Sequence, residues 1–205
     1  MSTDAAVPPS AARERQIARA RASSLRDALQ LTSPEGRERG SVIHALFEQI
    51  VWLEDFEHDD NTLLSVSRPI APRRDEAWHQ KQIHAFRGML ARPAIAEALS
   101  CGGANPNSVR VEREMPYVRA TDSGIQSGSI DRLVVHLDDR GRATGATIFD
   151  FKTDAVVAGS VEAQAETHRE QLQMYRDVVA ELFVLPRERI ALTVLLVGAG
   201  AAVTL

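Results

Sequence analysis

Three β-branched runs follow one another between residues 109 and 154: "VRVEREMPYVRA", "GSIDRLVVHLD" and "ATIFDFKTD". The stretches between them, "TDSGIQSG" and "DDRGRATG", are rich in residues that favour turns. This order predicts a strand meander, and it constrains the rest of the chain, because the apolar faces of a sheet must be covered. Downstream, "VEAQAETHREQLQMYRDVVAELF" predicts one helix of about six turns. After it, "RIALTVLLVG" and "AAVTL" predict a strand and the start of another. Helices upstream, a meander, a long helix and a returning strand make an α/β or α+β sheet with helical flanks.

The upstream half is helical. Residues 1–10 read as an unstructured lead, and residues 11–31 as a weakly apolar helix. "TSPEG" breaks it, with Thr32 or Ser33 suited to cap the next helix and Pro34 suited to its first turn. Ile43, Leu46, Phe47, Ile50 and Leu53 then recur at helical spacing and predict one buried helix, closed by "EHDDN". Residues 75–100 predict a further helix interrupted near Pro93. We read residues 1–35 as an N-terminal extension or connector and residues 36–205 as one domain.

Composition excludes several classes. A single cysteine, Cys101, leaves no disulfide framework, no Cys-ligated zinc site and no four-Cys iron–sulfur cluster within the chain. The longest apolar run, "ALTVLLVGAGAAV", is too short to span a bilayer, so no membrane association is expected. With no apolar h-region at the N-terminus and a single cysteine, a reducing, cytoplasmic setting is expected. No GxxxxGK[ST] phosphate loop occurs. The net charge of −4 argues against a globally basic nucleic-acid binder, although Arg13, Arg15, Arg19, Arg21, Arg26, Arg37 and Arg39 cluster early.

Only two of the 24 basic residues are lysines, Lys81 and Lys152. Strand alternation puts Asp150 and Lys152 on one face of "IFDFK", with Phe149 and Phe151 directed to the core. Asp131 ends "GSID" just before the apolar run "RLVV", which should pair with "TIFDF" and bring its carboxylate near Asp150. Crowded carboxylates are unfavourable unless a proton or cation intervenes. Hard oxygen donors in low number suit Mg²⁺ or Mn²⁺. A lysine beside such an ion is a compact point charge, a task a guanidinium performs poorly. Taken alone, the D-x-K pair is more often a surface salt bridge, and His44, beside the apolar face of its helix, is more often a satisfied core residue. His79 and His84, five apart, have poor metal spacing and read as surface, and His58 reads as part of a solvated helix exit.

Five short motifs carry a resemblance. "RGSVIHALFE" (39–48), "EMPY" (114–117), "GSID" (128–131), "IFDFKTD" (148–154) and "HREQLQMY" (168–175) resemble, in order, the motifs of the PD-(D/E)xK nuclease superfamily, specifically its RecB/AddA-type branch. Each is weak alone; their order and spacing over about three-quarters of the chain make them specific.

The resemblance implies a restriction-endonuclease-like core, with a central mixed sheet flanked by helices and extra N-terminal helices. It implies a Mg²⁺- or Mn²⁺-dependent deoxyribonuclease acting on linear or single-stranded DNA ends in recombinational repair, in the same polypeptide or complex as a UvrD/RecB-type helicase. His44, Asp131 and Asp150 would be metal ligands, joined by the Phe151 backbone carbonyl. Lys152 would act on the nucleophile or the scissile phosphate. Gln171 and Tyr175 would contact DNA or brace the site, and Glu114 would support it from behind. Many relatives carry four cysteines around a cluster; Cys101 alone cannot, so no iron–sulfur cluster is expected. The alternatives are a catalytically inactive DNA-binding or scaffold module of the same fold and a standalone restriction-type endonuclease.

Overall fold

The computed structural model describes residues 33–103, 105, 108–121, 124–153 and 160–205. The chain packs as two units, Met1–Glu38 and Arg39–Leu205. The helix expected over 11–31 lies outside the described residues, as does most of the segment read as a connector. At the end of the first unit the Ser33 hydroxyl accepts from the Gly36 N–H at 3.0 Å, capping helix α1 (Pro34–Glu48) in the manner expected.

In the second unit α1 buries Val42, Ile43, Leu46 and Phe47. It stops at Glu48, one turn earlier than the apolar spacing suggests. Gln49 and Ile50 donate three residues back, to Leu46 and Phe47, and a short 3₁₀ turn follows at Leu53–Asp55. Ile50, Val51 and Trp52 are β-branched or aromatic and favour a helix weakly. "EHDDN" does not close α1 but starts a new helix. Asp59 accepts from the Thr62 N–H at 2.8 Å and caps α2 (Asp60–Ser67). Helices α3 (Glu76–Leu90) and α4 (Pro93–Leu99) follow, with Pro93 in the first turn of α4. His79 is not on the surface. It is 2% exposed, and its Nδ1 lies 3.0 Å from the hydroxyl of buried Ser67.

Five strands form one mixed sheet in the order β1 (Val109–Thr121), β2 (Gly124–Leu137), β3 (Ala143–Lys152), β4 (Ile190–Leu196) and β5 (Ala201–Thr204). All neighbours are antiparallel except β3 and β4, which are parallel and joined through helices. Strand β2 starts earlier than expected, so Asp131 lies inside it rather than at its start. Gly128, which reads as a turn residue, is instead a close-approach glycine: a Cβ there would sit 2.7 Å from the Tyr117 hydroxyl.

The single six-turn helix is in fact two, α5 (Val161–Glu166) and α6 (Arg169–Phe183). Between them the Thr167 hydroxyl and N–H both bond the Gln164 carbonyl, and His168 donates to Ala165, so the chain tightens and reorients.

Both sheet faces are covered. Helices α1–α4 form one core with Phe151, Leu195 and Val197; α5 and α6 form the other with Leu133, Ile148, Val194 and Leu196. Phe47 of α1 stacks on Phe151 of β3 with centroids 4.7 Å apart. Such a pair contributes about 0.5–1.5 kcal/mol beyond its buried area and ties α1 to the D-x-K strand.

Candidate metal centre and active site

The site is built where the β1–β2 hairpin changes face. Arg113 pairs with Arg132 and Met115 with Ile130, but the pair between them, Glu114 opposite Asp131, is skipped by the ladder. Glu114 has a left-handed backbone, φ 46°, which for a residue with a Cβ costs roughly 1–2 kcal/mol. In a regular strand Arg132 and Ile130 would share a face. Here Arg132 reaches the turn after α1 while Ile130 enters the core beneath α5 and α6. At the crossing point Glu114 and Asp131 line an open cleft of about 550 Å³ together with Gly40, Ser41, His44, Ala45 and Glu48.

Strands β2 and β3 part at the same place. Their last paired residues are Arg132 and Phe149. Beyond that rung the Asp131 Oδ2 accepts from the Phe151 N–H at 2.7 Å, a side chain standing in for a ladder carbonyl. The Asp131 carboxylate is thereby oriented by the strand that carries Asp150 and Lys152.

His44, Glu114 and Asp131 each place one ligand atom within 4.8 Å of the others. The His44 Nδ1 is 3.8 Å from Asp131 Oδ1, and its ring stands edge-on to Phe151. Burial holds the His44 pKa below the usual imidazole value, against the pull of Glu114, and so favours the neutral form that ligates metals. The Phe151 backbone pulls the other way, toward the protonated ring. Burial raises the Asp131 carboxyl to about 7, with the Asp150 charge adding to it and the Phe151 N–H opposing. A buried carboxylate with two others nearby lacks positive charge. The donor set, one neutral imidazole with hard oxygens, fits a divalent cation such as Mg²⁺ or Mn²⁺.

The other expected residues form a second, connected group. Asp150 is 1% exposed, with the Lys152 Nζ 2.8 Å from its Oδ2 as an ion pair outside hydrogen-bond geometry. Lys152 donates to Gln171 Oε1 at 3.3 Å, and Gln171 donates to the Tyr175 hydroxyl at 2.5 Å. Gln171 and Tyr175 are one turn apart on α6, which places both over the strand. Burial pushes the Tyr175 hydroxyl up to about 12, so it stays protonated.

Two arrangements differ from the sequence-based picture. Glu114, expected behind the site, stands with His44 and Asp131 in the group of three, whereas Asp150 lies deeper and is paired with Lys152. Arg132 was not anticipated at all. It is among the largest fully buried side chains, and burial followed by the charge of Arg113 lowers its pKa to about 10. Its one sequence signal is a charge at the head of the apolar run "RLVV".

A helix-covered mixed sheet with a D-x-K strand beside a cleft of imidazole and carboxylates defines the restriction-endonuclease-like class of divalent-metal phosphodiester hydrolases. The model of the PD-(D/E)XK nuclease superfamily matches residues 15–203, and the chain belongs to that superfamily. Membership implies metal-dependent nuclease activity, the hydrolysis of phosphodiester bonds. No curated protein gives a significant match to the sequence. Among the described residues no helix is long and apolar enough to cross a membrane.

Proposed function

We propose that the protein is a Mg²⁺- or Mn²⁺-dependent DNA exonuclease or end-processing enzyme of the RecB/AddA type, acting in recombinational repair beside a helicase. The observation that carries the catalytic part is the convergence of His44, Glu114 and Asp131 within 4.8 Å, with Asp131 bonded to the Phe151 N–H between Asp150 and Lys152. The branch and the repair role rest on the motif order from "RGSVIH" to "QLQMY".

His44, Glu114 and Asp131 would hold the cation from the cleft side, with Asp150 and the Phe151 carbonyl completing its surroundings from β3. When bound, the ion supplies Lewis-acid polarisation of a phosphoryl oxygen. Lys152 presents an ammonium to the negative charge that develops on the phosphate, or orients the attacking water. Gln171 accepts from that ammonium at 3.3 Å and so restricts its position, and Tyr175 holds Gln171 in turn. Asp131 takes its orientation from the Phe151 N–H, so the ligand and the catalytic strand move as one.

The test is incubation with end-labelled linear and closed circular DNA in Mg²⁺, Mn²⁺ or EDTA. Linear DNA should be degraded only with metal, and circles mostly spared. Equal cleavage of circles would point to a standalone endonuclease. No cleavage under any condition, with metal bound, would favour the inactive DNA-binding module.

A further inference from the structure

Arg132 is 1% exposed, and its two terminal nitrogens donate to main-chain carbonyls of one short turn: Nη1 to Ile50 at 2.9 Å and Nη2 to Val51 at 2.7 Å. Its guanidinium lies over the Trp52 ring, 5.2 Å from the centroid. Arg113, its partner across the β1–β2 ladder, donates to the Glu48 carbonyl at 2.6 Å. Two arginines from adjacent strands therefore grip the end of α1 and the turn after it. Helix C-termini leave carbonyls without intrahelical partners and carry a partial negative charge, so cationic donors suit that end. Burying a guanidinium is costly, and neither strand needs one to form.

The positions of these arginines matter as much as their bonds. Each directly precedes or follows a candidate ligand: Arg113 adjoins Glu114, and Arg132 adjoins Asp131. The gripped carbonyls begin at Glu48, about one helical turn beyond His44. Across the face change at Glu114 and Asp131, the carboxylates turn to the cleft while the flanking guanidiniums turn to the helix. Phe47 on Phe151 fixes how closely α1 approaches β3, but stacked rings tolerate sliding and rotation. Directional bonds from a forked guanidinium to two carbonyls do not.

From this geometry we infer that Arg113 and Arg132 are positioning residues that lock the rotation and axial placement of α1, holding the His44 imidazole in register with Glu114 and Asp131. The inference rests on the metal-nuclease reading only for its consequence in metal binding. The register itself is a property of the chain.

Two readouts test it on the full-length protein. The first is the ring ¹H–¹⁵N signals of His44 and His79, without metal, in the wild type, Arg113→Met and Arg132→Lys. His79 is bonded to Ser67, away from the grip, and serves as the internal reference. The His44 signal should move or broaden in both variants while that of His79 stays in place. An unchanged His44 signal in a folded Arg132→Lys, or equal changes at both histidines, would overturn the inference. Arg113 is exposed, so Arg113→Met keeps the test open should Arg132→Lys fail to fold. The second readout is Mn²⁺ affinity. Groups that orient a ligand typically change metal affinity by about 10–100-fold, and Arg132→Lys should weaken Mn²⁺ binding by about tenfold or more. That loss should vanish in a His44→Ala background. The same loss with and without His44 would mean that the arginines act on the fold at large. A wild type that binds no Mn²⁺ would sink the metal-nuclease reading while leaving the histidine signals to judge the grip.

Discussion

The ammonium of Lys152 lies 2.8 Å from the carboxylate of Asp150, a side chain 1% exposed, and 3.3 Å from the Gln171 amide oxygen. That spacing leaves room for a compact ammonium and little for a forked guanidinium. Lys152→Ala should reduce single-turnover cleavage by about 10²–10³-fold with metal binding nearly intact, the usual loss for removing one transition-state donor. Lys152→Arg should fail almost as badly. An arginine variant near wild-type rate would reduce the pair to a structural salt bridge.

The strained backbone of Glu114 gives a prediction in which stability and activity diverge. Glycine adopts φ 46° without the Cβ penalty, and Glu114→Gly also removes a carboxylate facing Asp131. The metal-free variant should be more stable by about 1 kcal/mol in denaturant titrations, yet bind Mn²⁺ more weakly and cleave more slowly. A variant that is both less stable and fully active would remove Glu114 from the site.

The raised pKa of Asp131 predicts a pH trend with a definite sign. Its folded value is about 7 against an ordinary 3.8, so between these limits the folded protein holds a proton that the unfolded chain releases. The associated stability is present below about pH 4 and is lost as the pH rises through 7. Asp131→Asn keeps an acceptor for the Phe151 N–H but cannot ionise. In EDTA its stability advantage over wild type should grow from about pH 4 to pH 7, reaching at most about 4 kcal/mol. His44 contributes with the opposite sign, since its lowered pKa makes stability rise with pH near its ordinary value. A gap that is flat with pH would contradict the buried, charge-crowded picture of this carboxylate.

At the end of α6, Val184 takes a left-handed backbone, φ 53°, while 89% exposed. The Leu185 N–H returns to the Ala180 carbonyl at 3.0 Å, a helix ending that ordinarily uses glycine. Val184→Gly should raise stability by about 1 kcal/mol, read as a higher melting temperature, with no change in cleavage. A lower melting temperature would show that the valine side chain contributes packing that its exposure conceals.

Much of the sheet is legible in the sequence because its strands carry period-two patterns and its helices long apolar faces. The misreadings come from residues whose local meaning depends on a distant partner. Gly128 has the composition of a turn, but the Tyr117 ring across the ladder is what requires a glycine there. Thr167 looks compatible with a continuous helix until its hydroxyl captures the Gln164 carbonyl. His79 reads as surface because the Ser67 hydroxyl that satisfies it sits on another helix. The motif residues fall into two groups, His44, Glu114 and Asp131 along the cleft and Asp150, Lys152, Gln171 and Tyr175 in a chain of polar contacts from β3 to α6. The relative depth of Glu114 and Asp150 is not legible, because it follows from the left-handed turn of one backbone residue in a strand.

That turn also bears on the edge of the sheet. Among the described residues β1 is an outermost strand of the sheet, and a long straight edge of unpaired main-chain groups invites another chain to add to it. The irregular backbone at Glu114, with Pro116 two residues on, interrupts that edge, and arginines lie on both sides of it. A backbone break in an edge strand, like the one at Glu114, works against edge-to-edge pairing. A glycine there, free to relax toward an extended strand, would gain folding stability at the expense of colloidal behaviour.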